Sequence, residues 1–243
     1  MEGNQAESFL IAILTKVDGV WEVREGPTLP RPVASHCSVT INDGYYDKVI
    51  LIGGASFDSQ ERKFVMTNIV ESYEFENGGR YSTKTNLASL RTPRSGHACT
   101  LITNRETIIV AGGQRGSKDV LDSVESIPVN QLHSGWSGHS YLPHALTGAT
   151  FITKLGLPFL IGGAGYGSNQ SNEGSRKPKD IVFSKDVLAY NDDIIFESGW
   201  KKIGEVQETV AYHVTVALEN TICLEIKKEL RESFLEDLDI RIA

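Results

Sequence analysis

The sequence predicts an all-β chain built from a repeated antiparallel unit of four short strands, and three observations carry that prediction. A glycine doublet closes an apolar run three times, in VILIGG, IIVAGG and PFLIGG, with the first glycines 59 and 50 residues apart. A strand with a common opening precedes each doublet: ASHCSVTI at 34–41, SGHACTLI at 95–102 and TGATFIT at 147–153. A further copy, AYHVTVAL at 211–218, has no doublet after it. Large aromatics then fall in register, at Tyr81, Trp136 and Trp200, with Trp21 lying 60 residues ahead of Tyr81. Self-similarity at a period of several tens of residues marks a repeat architecture.

The stretch from Arg91 to Trp136 shows what one unit contains. His97 to Ile102 alternates polar and apolar behind Gly96, as a half-buried strand does. Ile108 to Ala111 is a short apolar run ended by Gly112-Gly113, Val124, Ile127 and Val129 follow, and Trp136 comes after a Ser-Gly turn. Glycine at a strand end accepts positive φ and lets neighbouring backbone approach. A large aromatic one strand further out fills the wedge between adjacent sheets.

A strand closed by Gly53-Gly54, Gly112-Gly113 or Gly162-Gly163, then Tyr73, Ile127 or Tyr190, then Tyr81, Trp136 or Trp200, resembles the kelch repeat of β-propellers over roughly residues 20–218. The resemblance implies a kelch-like propeller domain over 1–226, with complete four-stranded blades at about 34–84, 95–141 and 147–203. Residues 8–24 then supply the last two strands of another blade, and 211–226 its first two. If these ends meet they complete a fourth blade and close a ring, within the four to eight blades that propellers use. If they do not, the chain is a partial propeller whose open edges invite association with another chain. Both readings stand at this point.

The segments outside the repeat are brief. The apolar run Phe9 to Leu14 has no basic residue before it and reads as a strand with a turn at Asp18-Gly19, not as a leader. No stretch approaches the length needed to cross a membrane. In 227–243, behind Ile226, the residues Leu230, Phe234 and Leu238 continue a four-residue spacing among alternating charges, which predicts a short amphipathic helical tail.

With 40% hydrophobic residues among 243, there is enough apolar material for a core. A net charge of −7 and no basic stripe argue against nucleic acid as a partner, because phosphate binding needs clustered Lys and Arg. Cys37, Cys99 and Cys223 are far apart and form no CxxC, so the spacing suggests neither a disulfide framework nor a sulfur-rich metal site. A sparse, odd count suits a reducing compartment, and the expected location is cytoplasmic.

Function is expected in the loops. By strand parity, the segments after the doublets open on the same face as the connections between units. That face collects Arg62, Lys63, Arg91, Arg94, Arg115, Lys118, Tyr166, Arg176 and Lys177. Arginine suits a bidentate grip on carboxylates. The resemblance implies a non-catalytic protein-protein interaction scaffold that binds a partner protein or acidic segment, with Arg94 and Arg115 foremost, flanked by Tyr166, Arg62, Lys118 and Arg176. Arg94 has a structural competitor, since it directly precedes a strand and can pair with backbone carbonyls.

The strand-opening histidines His36, His97 and His213 could form a metal ring, but Ala149 interrupts it, and buried structural histidines are the preferred reading. No catalytic residue, cofactor or metal ligand is assigned, and neither a GxSxG elbow nor a phosphate-cradling loop occurs. The alternative is a small-molecule or metal-dependent enzyme of the galactose-oxidase-like kind using the central channel. The copper oxidases with this repeat need a Tyr–Cys pair and two His ligands, which these scattered cysteines do not supply.

Overall fold

The computed structural model describes residues 10–42, 44–76, 79–116, 118–154, 156–166, 181–191, 199–218 and 221–225. Within them the chain is all-β. Three four-stranded antiparallel sheets follow one another in sequence, an arrangement compatible with a propeller-like fold. The first is Cys37–Asn42, Tyr46–Ile52, Val70–Glu76 and Arg80–Asn86, hydrogen-bonded in that order. The second is Ala98–Ile102, Thr107–Ala111, Val124–Pro128 and the short Ser137–Gly138. The third is Thr150–Lys154, Leu157–Ile161, Asp186–Asn191 and Gly199–Glu205. The three sheets span 37–86, 98–138 and 150–205.

Two hairpins flank the sheets. Leu10–Val17 pairs with Val20–Thr28, and Val214–Leu218 pairs with Thr221–Glu225, each as a separate two-stranded sheet. Among the described residues no ladder joins one hairpin to the other. The helix expected in 227–243 lies outside the described residues.

The segments after the doublets, expected as loops, are built instead around small ribbons. Ala55–Asp58 pairs with Lys63–Met66, Gln114–Gly116 with Asp119–Val120, and Ala164–Tyr166 with Ile181–Phe183. Each ribbon is stapled to the connector leading into its unit, through bridges Ala34↔Ala55, Ser95↔Gln114 and Thr147↔Ala164.

Burial follows strand alternation. Val39, Ile50, Ile52, Val70 and Leu90 meet Ile108, Val110, Ile127 and Trp136 between the first and second sheets. Ala98, Ile109, Ala111 and Val124 meet Leu160, Leu188, Tyr190 and Trp200 between the second and third. The in-register aromatic of a unit thus packs back on the unit before it, and the Trp136 indole N–H donates to Ala88 O at 2.9 Å. Burying such a side chain contributes about 1.5–3 kcal/mol each. Tyr81 of the first sheet, preceded among the described residues by a two-stranded hairpin, stays 38% exposed.

The first strands of successive units lie side by side, and their contacts repeat. Cys37 and Cys99 form a disulfide across 62 residues, with Cα atoms 5.9 Å apart. This corrects the expectation, drawn from spacing, that the cysteines form no disulfide. Sequence spacing could not reveal it, because two distant units bring the pair together. At the equivalent junction of the third unit and the last hairpin, Thr150 Oγ1 hydrogen-bonds Thr215 Oγ1 and lies 2.9 Å from His213 Nε2. Between the second and third units the contact is Thr100 Oγ1 to Thr153 Oγ1, at 2.9 Å.

Beside these contacts runs an arc of backbone bonds. The residue before each His or Ala149 position is left-handed: Ser35 at φ 53°, Gly96 at 61°, Gly148 at 68° and Tyr212 at 53°. Gly96 N–H donates to Ser35 O, Gly148 N–H to Gly96 O, and Tyr212 N–H to Gly148 O, at 2.7–2.9 Å. Among the described residues no bond joins Tyr212 back to Ser35, so the arc is not closed.

Candidate functional site: the ribbon face

Glycine doublets end the second strands and turn the chain out into the ribbons. All six doublet glycines have positive φ, from 60° to 104°. A Cβ on Gly53 would sit 2.8 Å from both Arg94 O and the His97 ring, so the close approach expected of these glycines is made to the following unit.

The ribbons place apolar side chains in solvent. Phe57 and Phe64 stack edge to face with centroids 5.4 Å apart and are 51% and 61% exposed. On the third ribbon Ile181, Val182 and Phe183 are all half exposed or more. Basic groups stand beside them. Arg62, Lys63, Arg91, Arg115 and Lys118 are exposed. Lys63 pairs with Glu61 at 2.9 Å, and Arg115 with Asp119 at 2.6 Å. Arg176 and Lys177 lie outside the described residues.

Arg94 is a correction. It is wholly buried, so it does not grip a partner from the surface. Its Nη1 donates to Gly112 O at 2.8 Å and Ser123 O at 3.0 Å, and its Nη2 donates to Glu125 Oε1 at 2.6 Å and Ser123 Oγ at 3.0 Å. Glu125 in turn accepts the backbone N–H groups of Arg91 and Thr92 at 2.7 and 3.1 Å. The pairing with backbone carbonyls was anticipated; Glu125 was missed. The signal was present, because VES opens the third strand of both the first and second units. Glu71 of the first unit is likewise buried and paired, with Arg31 at 3.2 Å and Lys84 at 2.9 Å.

The histidines divide. His36 is exposed, while His97 and His213 are buried. Burial, reinforced by the positive charge of Arg94, pushes His97 down to about 3, and burial takes His213 down to about 4. Both are therefore neutral imidazoles at physiological pH. Among the described residues no three His, Cys, Asp or Glu side chains converge as a metal-binding group.

A pocket of about 480 Å³ opens beside the third ribbon. Ala145, Leu146, Tyr166, Val182 and Phe183 form its apolar walls, with His144, Lys185, Asp186, Glu205 and Thr209 around them. Asp186 is held from two sides, by Lys202 Nζ at 2.7 Å and His144 Nε2 at 3.5 Å. Tyr166 is the expected site residue that lines this pocket. The pocket could not be anticipated, because its walls come from three separated segments.

The described chain is therefore an all-β protein of successive four-stranded sheets with one ribbon-bearing face. No protein-family model matches the sequence, and no curated protein matches it. Among solved structures it is similar to one titled "Structure of YjhT", with 13% identity and a TM-score of 0.49, covering 90% of this chain and 84% of that one. No helix among the described residues is long and apolar enough to cross a membrane.

Proposed function

We propose that this chain is a kelch-like propeller acting as a non-catalytic interaction scaffold, and that its ribbon face holds a partner protein. The observation that carries the reading is the combination on that face. Phe57, Phe64, Ile181, Val182 and Phe183 are exposed on paired backbone, with Arg62, Arg115 and Lys118 alongside. Exposed apolar groups rimmed by charge mark interaction surfaces. An acidic segment suits the exposed cations near the first two ribbons, and the 480 Å³ pocket beside the third suits an apolar side chain. The cytoplasmic expectation leans on the sparse, odd cysteine count, and the Cys37–Cys99 bond removes that support.

The test compares the wild type with an Arg115→Glu/Phe183→Ser variant against an array of immobilised acidic peptides carrying one aromatic residue each. Loss of binding with an unchanged melting temperature is the expected result. Equal binding by both proteins would remove the ribbon face from the mechanism.

A further inference from the structure

The two flanking hairpins are halves of a sheet. Every complete unit has its strands hydrogen-bonded in chain order, first to fourth. Val214–Leu218 lies against Thr150–Lys154 as the next innermost strand, and Tyr212 continues the arc of left-handed residues, so this hairpin supplies a first and second strand. The hairpin Leu10–Val17 with Val20–Thr28 supplies a third and fourth. Trp21 is the second residue of its outer strand, as Tyr81 and Trp200 are of theirs.

What the halves lack is each other. Trp21 is 64% exposed, with Lys16 Nζ 5.7 Å from its ring centroid, whereas Trp136 and Trp200 are 6% and 7% exposed. Leu14, Val20 and Val23 of the same hairpin are each more than 60% exposed. The outer face of the first sheet is also open: Ser38 and Thr40 are exposed while Val39 between them is buried. Four units that turned through a full circle would bring Tyr212 O to Ser35 N–H, and they do not. Among the described residues the four units therefore do not close on themselves.

We propose that the missing sheets come from a second copy of this chain. The strand Thr221–Glu225 of one copy pairs antiparallel with Leu10–Val17 of the other, and the reciprocal pairing completes a second composite sheet. Three sheets from each copy and two composite ones make a ring of eight, at the upper end of the usual range. Continuity with the existing packing favours this occupant. The backbone arc runs from Tyr212 of one copy to Ser35 of the next, giving one eight-membered circuit of the bonds already present within a chain. Trp21 then packs back on the other copy's third sheet, as Trp200 packs on the second.

Light scattering on this 243-residue chain tests the proposal. A mass of twice 26.7 kDa is expected, falling to 26.7 kDa in Leu14→Pro, which removes a donor and blocks the edge. Trp21→Glu, which leaves every backbone donor in place, is expected to do the same. A far-ultraviolet spectrum unchanged in either variant shows that the sheets persist. The fluorescence of Trp21, isolated by Trp136→Phe and Trp200→Phe, shifts to the blue as the dimer forms. A wild-type mass of 26.7 kDa overturns the proposal, whether the hairpins then stand free or close on each other within one chain. So does a dimer that survives both substitutions, or an open series of larger species.

Discussion

The second and third sheets solve one packing problem with opposite chemistry. The residue whose carbonyl accepts the second glycine of the preceding doublet is Arg94 in one case and Leu146 in the other. The residue facing it, two after the partner of the first glycine in the doublet, is Glu125 in the second sheet and Leu188 in the third. Arg94 and Glu125 form a buried ion pair closed by backbone partners, while Leu146 and Leu188 belong to one apolar cluster. The repeat therefore specifies a shape at this junction and leaves the chemistry free, provided both members change together. The next position behaves similarly: buried His97 in the second unit corresponds to Ala149 in the third.

The largest break should come from changing one member alone. Glu125→Leu strands the Arg94 charge in the core and is expected to cost about 3–5 kcal/mol in urea unfolding. Arg94→Leu/Glu125→Leu imports the third-sheet solution and should recover much of that, with a coupling of about 1–3 kcal/mol. Strict additivity of the two substitutions would end the claimed equivalence.

Next in size is the covalent junction. Replacing Cys37 and Cys99 by serine is expected to cost about 2–4 kcal/mol, because the bond closes a loop of 62 residues in the unfolded chain. A reducing agent should lower the melting temperature of the wild type and leave that variant unmoved.

Third comes pH. His97 titrates at about 3 in the fold and near 6.5 when unfolded, so between those values the unfolded chain binds the extra proton. Stability is complete above pH 6.5 and lost as pH falls towards 3, by about 2–3 kcal/mol at pH 4.5. His97→Ala, matching Ala149, should remove most of this slope while leaving the smaller contribution of His213.

The smallest effects lie at the hydrogen-bonded junction and the surface. Thr150→Val should cost about 1 kcal/mol, well below the disulfide at the equivalent place. Arg115→Glu should change stability by under about 0.5 kcal/mol, since its pair with Asp119 is exposed.

The sheets were legible because their signals are local. Doublets, alternation and register aromatics each sit within a few residues, and Gly53, Gly112 and Gly162 have the positive φ anticipated for them. Contacts between units were not, since Cys37 and Cys99 meet only after two units dock. Arg94 shows the same limit. Its place beside a connector could be read, but whether it turned outward or inward depended on Glu125, 31 residues later. The ribbons were hidden for another reason: alternation in FVM or IVF is too short to separate a strand from a loop.

The reach of each doublet into its successor decides how the chain can be dissected. Gly53 packs under Arg94 and His97, Gly112 under Leu146, and Gly162 under Val210 and His213. A fragment trimmed at the end of a sheet would keep the socket and lose the plug, exposing bare backbone where the neighbour's carbonyl belongs. Workable excisions carry the following connector through its histidine or alanine, so the natural module is offset from the visible repeat by 8 to 11 residues.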